Sequence, residues 1–116
     1  MNIPKKEFEK FKKECLRLQK EWGLSGWELF FQFKPLKDPL AQTTADLESR
    51  KATIRLSSEL PEEVSENRDV IHSAKHEMIH LLLWRLSACG HTRWMSESEI
   101  DEAEEETVMQ LLKIIP

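Results

Sequence analysis

Residues 70–83 read VIHSAKHEMIHLLL, and this stretch decides how the rest of the chain can fold. On a helical wheel with about 100° per residue, the apolar residues between positions 70 and 86 cover most of the circumference. A helix that is apolar nearly all round is buried inside its domain. We therefore predict a central helix from about Asn67 to Leu86, with the other elements packed around it.

The sequence before the central helix predicts one helix and three strands. Between residues 4 and 22, apolar side chains recur at steps of three and four, the period of an amphipathic helix, and Gly23 is suited to end it. Residues 27–33, 41–47 and 52–56 alternate in the manner of half-buried strands. We expect these strands to form a small three-stranded antiparallel sheet.

The sequence after the central helix predicts a loop and a last helix. The loop spans residues 87–95, and Ser96-Glu97-Ser98-Glu99 has the form of a capping box that begins a helix running toward residue 115. The order of elements is then one helix, three strands and two helices. Segregated strands and helices of this kind predict an α+β fold with helices packed on one sheet.

The composition fits one soluble globular domain spanning residues 1–116. Of its 116 residues 40% are apolar and 33% charged, and the formal net charge is −4. There is no long apolar run and no apolar leader, so we expect no membrane association and a cytoplasmic location. Basic residues of the first helix alternate with acidic ones, so we expect no nucleic-acid partner. Cys15 and Cys89 lack a Cys-x-x-Cys spacing, and we interpret both as free thiols in the core.

The central helix carries a His-Glu-x-x-His motif at His76, Glu77 and His80. Histidines four residues apart lie on one helix face with Cβ atoms roughly 5–6 Å apart, close enough to share one tetrahedral Zn²⁺. Glu77 lies about 100° further round, where its carboxylate can serve as general base on a zinc-bound water without being a ligand. Zinc lowers the pKa of bound water to about 7 and polarises a scissile carbonyl. The motif thus predicts a metal-dependent hydrolase.

Two alternatives to this interpretation stay open. The motif histidines could be core residues bonded to neighbouring groups, although we expect buried histidines on an apolar helix to need a metal or complete pairing. His72, one turn earlier on the same face, could be a ligand, an outer partner of a ligand, or a helix-end histidine.

The stretch at residues 74–83, the small sheet before it, and Glu105-Glu106-x-Val108-x-x-x-Leu112 resemble the minimal gluzincins, a zincin-like group that includes phage-type metallopeptidases and SprT-like domains. The resemblance covers roughly residues 27–112. It implies a zinc metallopeptidase in which His76, His80 and Glu105 bind zinc and Glu77 is the catalytic base. The cysteine zinc ribbon common in SprT-like proteins is missing here, which favours the phage-type branch.

The helical wheel and the family resemblance indicate different residues as the third zinc ligand. An apolar stripe that includes Thr107, Val108 and Leu112 centres nearest Glu104, so geometry alone slightly favours that residue. The family spacing, with Val three and Leu seven residues after the ligand, implies Glu105. On the same wheel Glu102 projects farther from the stripe, and Glu106 lies on its opposite side.

Other candidate residues have less specific roles. His91 and Arg93, in the predicted loop, could stabilise the oxyanion of a tetrahedral intermediate, although loop residues of these types are usually solvated. We interpret the tryptophans at positions 22, 27, 84 and 94 as filling the core or its rim. A peptide substrate could pair with an edge strand beside the metal. The rival hypotheses are an inactive zinc-binding interaction module of the same fold and a metal-free helical interaction protein.

Overall fold

The computed structural model describes residues 2–37, 40–60, 69–92 and 94–114, which form an α+β fold of helices and one mixed sheet. The elements in chain order are α1 (Lys5–Glu21), β1 (Glu28–Lys34), β2 (Ala41–Asp46), β3 (Lys51–Ser57), α2 (Val70–Leu82), α3 (Trp84–His91) and α4 (Glu97–Ile114). This confirms the predicted α+β class and the predicted order of the first helix, the three strands and the central helix.

Helix α1 ends where the sequence predicts. Gly23 adopts a φ of +69°, and the backbone N–H of Leu24 donates to the carbonyl of Gln19 at 2.8 Å. A left-handed residue after the last turn, closed by this type of hydrogen bond, is a Schellman ending, and glycine adopts it without a Cβ clash. The chain therefore leaves α1 in a fixed direction toward β1.

The sheet is mixed, so the prediction of an antiparallel sheet is wrong for one of its two pairings. The strand order is β1-β3-β2, with β2 antiparallel and β1 parallel to β3. Strand β3 takes the centre because its inward residues Ala52, Ile54 and Leu56 are all buried. Strand β3 lies between β1 and β2, running parallel to β1 and antiparallel to β2. Sequence alternation shows which face of a strand is buried, but it contains no information about the order of strands.

Helices α1 and α2 cover the same face of the sheet. Phe8 of α1 stacks on Phe33 of β1 with ring centroids 4.9 Å apart. Residues Ala41, Thr43 and Ala45 of β2 are half-buried on the same face, and Thr43 contacts α2. The result is two layers, with α1 over β1 and α2 over β2.

Helix α2 is shorter than predicted. Its N-terminus is capped by Asp69, whose Oδ1 accepts from the N–H groups of Ile71 and His72 at 3.0 and 3.2 Å. It ends at Leu82, and after Leu83 the chain starts α3, which occupies part of the predicted loop 87–95. The run of apolar residues continues through this break because both helices pack on the core. The predicted start near Asn67 lies outside the described residues.

Helix α4 begins at the predicted cap but presents a different face. The Ser96 hydroxyl accepts from the Glu99 N–H at 3.2 Å, as the capping sequence predicts. Ala103 and Thr107 are buried, whereas Val108 is 40% and Leu112 66% exposed. The buried face of α4 is therefore rotated far from the predicted apolar stripe, because the stripe included the exposed Val108 and Leu112 and omitted the buried Ala103.

The remaining packing predictions are confirmed with one exception. Cys15 and Cys89 are free and buried, Trp22 and Trp27 are buried, and Trp84 packs against the core. Trp94 is 84% exposed and does not fill the core. Among the described residues, no helix is long and apolar enough to cross a bilayer.

Candidate metal and acid–base site

The two motif histidines converge on one point above α2. Their Nε2 atoms are 3.1 Å apart, and their rings, with centroids 4.8 Å apart, are inclined by 67°. Two ligands of a tetrahedral Zn²⁺ with Zn–N bonds of 2.0–2.1 Å would have their nitrogens about 3.3 Å apart. The pair therefore has the separation of two zinc ligands, and the same distance also allows one ring to donate a hydrogen bond to the other.

The burial of the motif is the reverse of what we expected. His76 and His80 are exposed, whereas Glu77 is only 6% exposed. The apolar faces of α2 pack on α1 and on the sheet, while the histidine face points outward. The histidines consequently need no buried partner, and it is their convergence that links them to a metal.

The buried carboxylate of Glu77 has a hydrogen-bond donor on the neighbouring strand. The Thr43 hydroxyl lies 2.8 Å from Glu77 Oε1 and 3.3 Å from the Glu77 backbone carbonyl oxygen. A buried carboxylate without such a partner would be costly. Thr43 was not among the predicted site residues, although it lies at an inward-facing position of the second strand.

The thiol of Cys15 in α1 is close enough to Glu77 to be affected by its negative charge. Burial, together with the negative charges of Glu77 and Glu14, raises the pKa of Cys15 to about 12. Cys15 is fully buried and stays a neutral thiol at ordinary pH. It therefore adds no charge to the site.

An open cleft of about 250 Å³ lies beside the motif. It is lined by Leu40 and Ala41 from the start of β2 and by His72, Ser73, His76 and Glu77 from α2. His72 thus lies one turn from His76 at the wall of this cleft. The site combines two convergent imidazoles, one buried acid and a space between a helix and an edge strand.

The acidic residues of α4 are not gathered around the histidines. Arg85 of α3 donates to Glu102 at 3.0 Å and to Glu106, and these bonds raise the pKa of Arg85. Glu106 is half-buried on the packed side of α4, so the prediction that it lies on the opposite side is wrong. Glu104 and Glu105 are exposed, and Glu105 faces away from Ala103.

No third ligand is assembled with the histidines in the described part of the chain. There, no group of three or more His, Cys, Asp or Glu side chains is arranged to hold a metal ion. His72 therefore does not complete a site with His76 and His80 in this arrangement. Glu105 as third ligand stays a prediction from the family resemblance.

His91 has a structural contact at the end of α3. Its Nδ1 lies 2.7 Å from the carbonyl oxygen of Ser87, one turn earlier in the same helix. A hydrogen bond to a free carbonyl at a helix C-terminus is a common role for histidine. Arg93, the other candidate for oxyanion stabilisation, lies outside the described residues.

Comparisons with protein-family models, with curated proteins and with solved structures found no match. The function must therefore be inferred from the geometry of the site itself.

Proposed function

We propose that this protein is a zincin-like, zinc-dependent peptidase that uses His76 and His80 as metal ligands and Glu77 as general base. One observation carries the proposal. The Nε2 atoms of His76 and His80 lie 3.1 Å apart on the same helix as Glu77, whose buried carboxylate accepts a hydrogen bond from Thr43. Zinc hydrolases need both groups next to each other.

Each residue has a defined task in this proposal. When bound, zinc acts as a Lewis acid toward the scissile carbonyl and makes water a better nucleophile. His76 and His80 supply neutral imidazole nitrogens to the metal. Glu77 accepts a proton from the attacking water as the new C–O bond forms, and it returns that proton to the nitrogen as the C–N bond breaks.

The third protein ligand is proposed on the family resemblance alone. Structural and catalytic zinc sites commonly use at least three protein ligands, and Glu105 is the residue that the resemblance implies. Glu105 is exposed on α4.

The cleft suggests how a peptide substrate would bind. Among the described strands, β2 pairs only with β3, so its other edge has free backbone groups beside the cleft. An extended peptide can add to such an edge through main-chain hydrogen bonds. The scissile bond would then lie next to Glu77.

Metal content and cleavage test the proposal together. We expect purified protein to hold one zinc per chain by mass spectrometry, to cleave members of a peptide library, and to lose both properties with a chelator. Chelation should also lower the melting temperature, because a metal that binds only the folded state stabilises it.

Variants of the histidines provide the control. His76→Ala and His80→Ala should each lose zinc, whereas His91→Ala, an exposed histidine outside the site, should retain it. Protein with zinc and no cleavage of any peptide would instead indicate the inactive interaction module. Protein without zinc, with melting indifferent to chelator and to added zinc, would indicate the metal-free alternative.

A further inference from the structure

Thr43 of β2 is the residue that fixes the orientation of the Glu77 carboxylate. We propose that Thr43 is a positioning residue for proton transfer in this site, an inference that rests on the proposed function. Its hydroxyl lies 2.8 Å from Oε1, within the range of a strong O–H···O hydrogen bond. The two residues are 34 positions apart in the sequence, so only the packing of α2 on β2 brings them together.

The strand holds Thr43 rigidly. Thr43 pairs with Ile54 in the antiparallel ladder, and Ile54 is fully buried at the centre of the sheet. The neighbouring inward residues on β2 are Ala41 and Ala45, whose small side chains allow α2 to approach the strand closely. A β-branched side chain on a strand also has few accessible χ1 rotamers. The hydroxyl therefore stays at a fixed position relative to Glu77.

A single hydroxyl proton gives the two carboxylate oxygens different tasks. Thr43 has one proton to donate, and Oε1 is its nearest acceptor. Among the described residues, Oε2 of Glu77 has no hydrogen-bond partner and is the oxygen left to accept the proton of the attacking water. The same oxygen then releases that proton to the departing amine, so the Thr43 bond to Oε1 persists through the cycle.

The same strand connects this contact to the substrate. In the proposed function a peptide adds to the free edge of β2, so Thr43 belongs to the element that would bind the substrate. A fixed distance between strand and carboxylate would therefore fix the distance between peptide and base. Misplacement of a catalytic group by a small amount can lower the rate strongly without changing binding.

A purely structural role for Thr43 makes different predictions. If the hydroxyl only satisfies a buried carboxylate, removing it lowers stability but leaves the rate of the folded enzyme unchanged. If it positions the base, the loss appears in kcat while KM and zinc affinity stay near wild type. Thr43→Val removes only the hydroxyl, and Thr43→Ser retains it.

We expect Thr43→Val to lower kcat at least about tenfold, the size that loss of one hydrogen bond to a charged group produces. Its KM should change less than about twofold, since Thr43 does not contribute to binding of the substrate in the ground state. Thr43→Ser should recover most of the rate. Thr44→Val is the matched control, because Thr44 is the next residue of β2 and faces the opposite side of the sheet. All rates are measured with zinc-saturated protein well below its melting temperature.

A double-mutant cycle tests the contact without any activity. The unfolding free energies of Thr43→Val, Glu77→Ala and the double variant should be clearly non-additive, whereas the cycle with Thr44→Val should be additive. Thr43→Ala serves as a second variant if Thr43→Val does not fold.

Each result has one meaning. If the wild type is active and Thr43→Val retains the wild-type kcat, the positioning role is overturned and the proposed function stays intact. The same conclusion follows if Thr43→Ser is as slow as Thr43→Val. A zinc-loaded wild type that cleaves nothing overturns both, and coupling in the cycle would then assign Thr43 a structural role only.

Discussion

In two places a side chain of one element donates hydrogen bonds to carboxylates of another element, and the two donors differ. Between β2 and α2, the neutral hydroxyl of Thr43 donates to the buried Glu77. Between α3 and α4, the guanidinium of Arg85 donates to Glu102 and Glu106, which are 71% and 38% exposed. The donor in the first contact is neutral, whereas the donor in the second carries a positive charge.

The difference shows which acids are available for chemistry. A carboxylate that forms an ion pair with arginine is occupied as an acceptor and has little capacity to take a proton. Glu77 accepts from a neutral hydroxyl through one oxygen, and among the described residues its other oxygen has no hydrogen-bond partner. In the proposed function the base is therefore Glu77 rather than an acid of α4.

The largest expected effect comes from removing each type of acid in turn. Glu77→Gln should retain zinc and fold but lower kcat by about 10²–10⁴-fold, the usual contribution of a general base. Glu106→Gln should leave the rate near wild type, because its partner is structural. Rates on a peptide identified in the library assay, with zinc content measured in parallel, check both variants.

Equal losses of kcat in Glu77→Gln and Glu106→Gln would contradict this difference between the two acids. A Glu77→Gln protein with wild-type rates would remove Glu77 from the mechanism.

The second expected effect concerns zinc affinity and α4. If Glu105 is the third ligand, Glu105→Gln should weaken zinc by more than the 10–100-fold that loss of an outer partner costs. Glu102→Gln, Glu104→Gln and Glu106→Gln should each change affinity much less. Competition with a chromophoric chelator measures all four variants under the same conditions.

A loss confined to Glu104→Gln would shift the ligand by one residue. No loss in any of the four would mean that the ligand lies elsewhere, with His72 at the wall of the cleft the next candidate.

The third effect tests the Arg85 contact itself. Arg85→Met keeps most of the side-chain packing and removes the charge, so it should lower the unfolding free energy by about 0.5–1 kcal/mol. The difference from wild type should shrink in 1 M salt, since partly exposed ion pairs are screened. Urea unfolding at low and high salt measures it. A difference that does not depend on salt would indicate packing rather than charge.

The smallest effect compares the two cysteines. Cys15 is fully buried, and its pKa, raised to about 12, keeps the native thiol protonated at pH 8. Cys89 lies in the two-turn helix α3 and is 4% exposed. We expect iodoacetamide to label Cys89 roughly several-fold faster, because short peripheral helices open locally before the core does. Mass spectrometry of the labelled peptides follows both sites, and equal rates in denatured protein are the control. Faster labelling of Cys15 would mean that α1 separates from α2 first.

Local patterns predicted the helices well because their signals lie within a few residues. The apolar period of α1, the glycine that ends it and the Ser96 cap of α4 are all short-range features. The parallel pairing of β1 with β3 was not predictable, because it depends on which strand takes the centre. The face of α4 was wrong for a related reason, since Ala103 is a weak apolar signal but fits a close helix contact.

The site was predictable only along one helix. Spacing alone indicates that His76 and His80 can converge, and it assigns Glu77 a different direction. It does not indicate that the histidines are exposed and the acid buried, because that depends on how α2 is rotated against α1 and the sheet. Thr43 was missed because a contact across 34 residues has no local signature.

The free edge of β2 also has a consequence for handling the protein in solution. Its residues 41–45 carry no charge, and Asp46 provides the only one at the end of the strand. Natural edge strands usually carry lysine, proline or a bulge that prevents a second molecule from adding a strand. Strand β2 lacks these features over residues 41–46, so we expect a second copy of the chain to add to this edge in concentrated samples.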